Sequence, residues 1–306
     1  MSELPADWQS ALRRRQALLT NERCLRLLHR EVPSLRCDRF DTVCWAYWYS
    51  EADPSDEIRS HLDALCEAVG VHHWHLHGMS DRGKDPQRRR HWSSSEAPVE
   101  WRATEANLCF VMRADRGQSP GLFLDQRIHR RWVREHASGR RVANLFSYTG
   151  AFGLAAASGG ATQVEQIDVS RSYLDWSAEN AQLNELSGHT TEARVDAGLF
   201  LQGCRKRNRK FDAIICDPPS FARASRRGTA TWRVVDDLPR LVEMALESLT
   251  EGGWMLVTSN HEGWSQTQMA DGLAKVGARV EPAAGPGGDF ETAEDESLLK
   301  GFILWR

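Results

Sequence analysis

From about residue 122 onward the chain alternates between two hydrophobic periods. Short segments at 142–146, 163–168, 192–196, 211–216, 254–259 and 301–305, the last three largely apolar, read as strands, and stretches with helical spacing at 150–158, 171–184, 198–206, 236–249 and 265–276 lie between them. Gly159-Gly160 stops the first of these helices, and Ser170 offers an N-cap to the second. Gly252-Gly253 is expected to end the fourth helix and open the strand that follows. Repetition of this kind predicts an α/β fold, an open and mostly parallel sheet with helices on both faces. Ligands in such sheets sit beyond the carboxyl ends of the strands.

Upstream, from about Ala17 to Gly117, the pattern is mixed and predicts a smaller α+β region. Leu25 and Leu28 recur at helical spacing within 21–30, whereas 42–49 is rich in β-branched and aromatic residues and reads as a strand. Ser55 caps an expected helix with Ile58, Leu62, Leu65 and Val69 on one face and Gly70 as its stop. Residues 71–77 and 106–113 read as further strands.

Composition narrows the classes. The 306 residues suffice for one large or two modest domains, and 41% hydrophobic with 26% charged residues is ordinary for a globular chain. No apolar run nears the roughly 20 residues of a membrane span, and Met1–Pro5 carries no leader pattern, so a cytoplasmic protein without membrane partners is expected. Seven cysteines with no C-x-x-C pair speak against disulfides and zinc knuckles. The net charge is −3, but basic residues cluster. Arg88-Arg89-Arg90 and Arg223 with Arg226-Arg227 are candidate phosphate contacts; solvated faces are the plainer reading.

Three signals fall at the expected strand ends. The first is the turn Phe146-Ser147-Tyr148-Thr149-Gly150, where glycine permits unusual backbone angles and leaves room for a ligand ahead of a helix N-terminus. The first glycine of G-x-G-x-x-G is missing there, which disfavours a dinucleotide. The second is Asp168, able to accept from both hydroxyls of a ribose or to act as an N-cap acid. Asp196 with the Ala197 amide could pair with an adenine edge. The third is Asp217-Pro218-Pro219-Ser220-Phe221, where two prolines stiffen the loop. An acid, a fixed carbonyl and an aromatic ring could hold a planar nitrogen heterocycle there; a rigid turn without chemistry is the alternative. Together the three suggest an S-adenosylmethionine-dependent methyltransferase, with catalysis resting on Asp217, Pro218, Pro219 and Phe221 through positioning rather than metal or covalent chemistry. The run His72-His73-Trp74-His75-Leu76-His77 could place three imidazoles on one strand face, but no further ligand is evident; a polar face toward solvent or RNA fits better. Asp125, Gln126 and Arg127 follow an apolar segment and could close over a cofactor or simply begin a helix.

The stretches 122–127, 137–141, 144–150, 168–176 and 217–221 resemble the bacterial large-subunit ribosomal RNA methyltransferases. They are most similar to the half of the bifunctional 23S rRNA guanine enzyme that makes N7-methylguanine; a sister branch makes 5-methylcytosine. The resemblance covers the chain from about Arg36 to its end. It implies a Rossmann-like class I methyltransferase domain at 121–306 and, at 1–120, a leading helix with a subdomain that helps grip RNA. It further implies S-adenosylmethionine contacts from Phe146, Ser147, Tyr148, Thr149, Gly150, Asp168, Ser170, Asp196 and Asp217, and strengthens Asp125, Gln126 and Arg127. The implied partner is 23S rRNA or a large-subunit precursor, bound by a monomer or homodimer. The cytosine branch carries a cysteine after its fifth core strand; Ser259-Asn260 stands here instead, as in the N7-guanine branch, whereas Asp289-Phe290 and 298–304 look more like the cytosine branch. A fused N-terminal methyltransferase and a PUA-type module are not expected.

Overall fold

The computed structural model describes residues 4–79, 90–222, 232–290 and 299–306. Contacts divide the chain into two units, Met1–Asp125 with Gly287–Asp295, and Gln126–Pro286 with Glu296–Arg306. No helix among the described residues is long and apolar enough to cross a membrane.

In the first unit, helices α1 (Ala6–Arg14) and α2 (Gln16–Asn21) lead into β1 (Cys24–Leu28), β2 (Leu35–Phe40), β3 (Val43–Trp48), α3 (Asp56–Ala68), β4 (His73–Gly78), β5 (His91–Ser93), β6 (Glu100–Glu105) and β7 (Leu108–Arg113). Strands β1 to β5 form a sheet in that order, with β3 and β4 parallel and the other neighbours antiparallel; β6 and β7 make a separate hairpin. Helix α3 is capped by Ser55, whose side chain accepts from the Ile58 amide, and Gly70 just beyond it takes φ +70°. Its Leu62 and Leu65 pack with Leu25, Leu28, Trp74 and Leu76.

The helical spacing of Leu25 and Leu28 misleads, because the segment is β1. Leu25 opposes Arg39 and Leu28 opposes Cys37, with the register shifting between Arg26 and Leu28. One extra residue in a bulged strand brings positions three apart onto the same face, which a periodicity reading takes for a helix.

The second unit carries α4 (Arg127–His136), β8 (Arg141–Leu145), α5 (Ala151–Ser158), β9 (Gln163–Asp168), α6 (Arg171–Leu183), β10 (Thr190–Arg194), α7 (Ala197–Lys206), β11 (Phe211–Cys216), β12 (Phe221–Ala222), β13 (Trp232–Arg233), α8 (Val234–Glu247), β14 (Leu249–Ser259), α9 (Gln266–Ala274), β15 (Arg279–Pro282) and β16 (Lys300–Trp305). Its seven-stranded sheet runs β10-β9-β8-β11-β14-β16-β15. The first five strands are parallel, and β16 is antiparallel to both β14 and β15. Both faces are covered, so the strands alternate between two cores. Ile214 and Cys216 of β11 pack with Leu201, Leu238, Val242 and Met269, whereas Ala213 and Ile215 pack with Val133, Phe152 and Ala156.

Gly252-Gly253 does not end α8. That helix stops at Glu247, and Leu249 already opposes Phe211 in the sheet. The two glycines lie inside β14 at its register shift, where Gly252 takes φ +73°. Strand order reverses between β8 and β11, so the crevice at their carboxyl ends is where the sheet receives a ligand.

Candidate active site

The turn from β8 to α5 is locally strained. Phe146 and Tyr148 take φ +56° and +49°, left-handed values uncommon outside glycine, and Gly150 takes +83°. The chain itself holds the turn in place. Ser147 N donates to Ile167 O, Tyr148 N to Asp168 Oδ2 and Gly150 N to Ser147 O. Behind the turn, Gln166 Nε2 donates to Gly150 O while Gln166 Oε1 accepts from Asn144 Nδ2, and Asn180 Nδ2 donates to Thr149 O.

Gly150 was expected to leave room for a ligand. A Cβ there would instead stand 2.2 Å from Ser177 Oγ and 3.0 Å from Gln166 Nε2. The glycine makes space for the protein's own buried side chains, and its φ independently disfavours any other residue.

Asp168 sits at the end of β9 with both oxygens engaged: Oδ2 by the Tyr148 amide at 3.0 Å and Oδ1 by the Ser170 amide at 2.8 Å. Burial raises its carboxyl above the ordinary value, opposed by these backbone N–H bonds. A carboxylate offers about four lone-pair sites, so two bonds leave capacity for hydroxyl donors. Ser170 serves as the N-cap of α6, its Oγ accepting from Tyr173 N. Asp196 caps α7 through Oδ1, which accepts from Leu199 N, and Ala197 begins that helix. Beside these acids stand two apolar residues that sequence reading passed over, Val169 and Leu199, 57% and 56% exposed. Exposed apolar side chains just past β9 and in the first turn of α7 suit a flat, partly hydrophobic ring.

Asp217 ends β11. Its Oδ1 accepts from Gln126 Nε2 at 2.9 Å and from Thr258 Oγ1 at 2.6 Å. Thr258 lies on β14 and was not foreseen; no local motif marks it. The Pro219 carbonyl, expected as a free acceptor, already takes the Trp232 indole N–H at 2.8 Å, and the Trp232 ring packs against Phe146 at 5.5 Å. Ser220 Oγ donates to Asn260 Oδ1 at 3.0 Å. Phe221 stands 52% exposed where β12 pairs with β13. Of the remaining expected residues, Asp125 is half-buried and Arg127 buried. Arg90 bonds the Asp53 carboxylate and the Ser50 and Ala52 carbonyls. Arg88, Arg89, Arg223, Arg226 and Arg227 lie outside the described residues.

The histidine strand does not present a polar face. His75 and His77 are buried against Trp45, and Trp101 of β6 stacks on His75. His75 Nδ1 meets His91 Nε2 and its Nε2 meets the Pro98 carbonyl. Burial holds this imidazole down, at about 4. Among the described residues no group of three or more His, Cys, Asp or Glu could hold a metal ion.

A model of the S-adenosylmethionine-dependent methyltransferases matches residues 22–278. The chain belongs to that family. It is therefore a methyltransferase enzyme whose cofactor is S-adenosylmethionine. It is 36% identical over 211 residues to the ribosomal RNA large subunit methyltransferase K/L of Shewanella oneidensis, 69% of this chain and 29% of that protein. It is 38% identical over 154 residues to the ribosomal RNA large subunit methyltransferase I of Serratia proteamaculans, 50% of this chain and 38% of that one. The chain thus spans well under half the length of these relatives. Its fold is shared by SMU.776, solved in complex with SAH (TM-score 0.85, 24% identity, 97% of this chain and 80% of that one). It is also shared by the SAM-dependent methyltransferase of Agrobacterium tumefaciens (0.71, 21%, 92% and 89%).

The residues fit this cofactor. Ser147 Oγ is buried in the strained turn without a hydrogen-bond partner among the described residues, a group that calls for a polar ligand atom. The acids at the ends of β9, β10 and β11 are each anchored by donors of the chain, as a preorganised site requires. S-adenosylmethionine supplies an activated methyl group on a sulfonium. The chain's part is to hold the two reactants in line and exclude water.

Proposed function

We propose that this enzyme methylates a guanine ring nitrogen, N7, in 23S ribosomal RNA by direct in-line transfer. The carrying observation is the chemistry beside Asp217. Methylation at a cytosine carbon needs an attacking thiolate, but β14 ends in Ser259 and runs on into Asn260 and His261. Cys216 is fully buried in the sheet, and burial pushes its thiol well up, with the Asp217 charge acting the same way. N7 carries a lone pair and no proton, so it asks for neither nucleophile nor general base. The base leaves its stack to reach the loop. Phe221 covers its face, and the Asp217-Pro218-Pro219 backbone fixes the plane of attack. The relatives' names support RNA as the substrate, and the basic residues Arg88, Arg89, Arg223, Arg226 and Arg227 would supply phosphate contacts, whereas Arg90 is engaged by Asp53 and the Ser50 and Ala52 carbonyls.

Mass spectrometry of rRNA nucleosides from cells lacking the protein tests the reading. One N7-methylguanine should be missing, and loss of 5-methylcytosine instead would overturn it. Binding to an rRNA fragment should weaken steeply with added salt, whereas a flat response would point to a small substrate.

A further inference from the structure

Beneath Asp217 lies a buried chain of polar groups. Gln126 Nε2 donates to Asp217 Oδ1 at 2.9 Å and to Thr258 Oγ1 at 3.2 Å. The other end of the same amide, Gln126 Oε1, lies 2.6 Å from His129 Nδ1. His129 Nε2 in turn lies 2.8 Å from the Ala284 carbonyl. Gln126, His129 and Thr258 are all buried. Strand β16 leaves room for the ring, since a Cβ on Gly301 would stand 2.8 Å from His129 Nε2.

Proton counting decides the state of this chain. An ionised carboxylate only accepts, so Gln126 must turn its NH2 end toward Asp217 and its carbonyl toward His129. The Ala284 oxygen is also an acceptor. Both ring nitrogens therefore face oxygen lone pairs. A neutral imidazole has one N–H and one bare nitrogen, and either tautomer would set two acceptors against each other at under 3 Å. The doubly protonated ring satisfies both contacts.

Burial acts against that state and pushes His129 down, and Arg130 on the same helix adds to the push. The Ala284 carbonyl pushes it up. From the other elements, β11 brings the Asp217 carboxylate through Gln126, and β16 brings the uncharged Gly301. Next to Gly301, the Lys300 ammonium donates to the His261 carbonyl. The two short contacts, each demanding a proton, outweigh the desolvation of a charge whose counter-charge stands one amide away.

We propose that His129 is a positioning residue held as the imidazolium, and that through Gln126 it keeps Asp217 ionised and fixed as an acceptor. Removing the Nδ1 proton forces the Gln126 amide to turn over. Gln126 Oε1 then faces Asp217 Oδ1, and the carboxyl must take up the proton that the ring gave up. The proton passes from one end of the chain to the other, and the net charge of the site is unchanged. The inference rests on Asp217 as the acid of the acceptor loop, but its first readout involves no methyl transfer.

Nitrogen-15 NMR of the labelled full chain tests it. At pH 7 both His129 nitrogens should carry protons, and Asp217→Asn should lower the acid constant's midpoint by at least about one unit. A singly protonated His129 in the natural chain would overturn the proposal, as would a titration unchanged by Asp217→Asn. Kinetics give a second arm. His129→Asn places an amide N–H near the position of Nδ1 and should keep kcat within about threefold, whereas His129→Leu should lower it about tenfold, with cofactor Kd unchanged in both. Equal losses in the two variants would reduce the ring to packing and overturn the positioning role.

Discussion

Replacing Gly153 with alanine should destabilise the protein, although alanine is the better helix former. Gly153 lies within α5, where propensity alone favours alanine by about 1 kcal/mol. A Cβ there would stand 2.2 Å from Gln166 Nε2 and 2.5 Å from its Cδ and Oε1. Gln166 is fully buried, and it holds Asn144 at 2.8 Å and the Gly150 carbonyl at 3.1 Å. Moving it gives up both bonds, about 1 kcal/mol each, and crowding adds about 1–3 kcal/mol. With the helix gain set against this, Gly153→Ala should cost about 2–4 kcal/mol. The Gly150 carbonyl loses its tether as well, so the strained turn loosens and cofactor affinity falls. Urea denaturation measures the first effect and calorimetry with S-adenosylmethionine the second. Adding Gln166→Ala removes the obstacle, so the double variant should be no less stable than Gln166→Ala alone. A Gly153→Ala protein as stable as the natural chain, or losses that add in the double variant, would refute the reasoning.

Asp217→Ala should abolish methyl transfer while the fold survives, read as lost turnover with an unchanged circular dichroism spectrum; normal turnover would remove the assignment. Phe221→Ala should raise KM for RNA at least about tenfold and leave the cofactor Kd alone, because an exposed ring is lost and no contact behind the cofactor turn is touched. Asp168→Asn should weaken S-adenosylmethionine about tenfold or more while changing stability by under about 1 kcal/mol, since relief of a buried charge offsets one lost backbone bond. His75, held at about 4 when folded against 6.5 for a free imidazole, binds its proton more readily in the unfolded chain. Stability should therefore be full above pH 6.5 and fall between 6.5 and 4; His75→Phe should flatten that decline in thermal melts across the range.

The larger sheet was legible because its central strands are buried on both faces and its helices carry local stops and caps. Ser170 and the Gly159-Gly160 pair announce themselves within a few residues. The smaller sheet was less legible, because its signals are interrupted. The bulge in β1 spaces Leu25 and Leu28 as a helix would; the larger sheet has a comparable interruption, the glycines of β14, which sit inside a strand rather than at its start. At the site, the acids at 168, 196 and 217 were visible as residues that end expected strands. Gln126 was marked by the polar run that follows an apolar segment, and family resemblance strengthened it. Thr258 and His129 could not be found by local pattern, because their roles exist only where α4, β11 and β14 converge. The histidine run failed for a related reason: alternation says that three imidazoles share a face, but not that Trp101, from a hairpin further along the chain, covers it.

The chain's own donors set this crevice before any ligand arrives. Asp168 is gripped by two backbone amides, Asp196 by the start of α7, and Asp217 by Gln126 and Thr258. Each carboxylate has thus lost rotational freedom during folding, and Asp168 part of its hydration as well. A ligand that binds there meets acceptors already aimed, so less of its binding energy goes into ordering side chains. The same logic places the strain. Left-handed Phe146 and Tyr148 persist because Ile167, Asp168 and Gln166 hold the turn from behind, while the buried Ser147 hydroxyl within it has no partner among the described residues. Ser147→Ala should therefore leave folding stability unchanged or slightly raised and weaken S-adenosylmethionine binding severalfold. A stability loss above about 1 kcal/mol without a change in Kd would show that the hydroxyl serves the turn and not the cofactor.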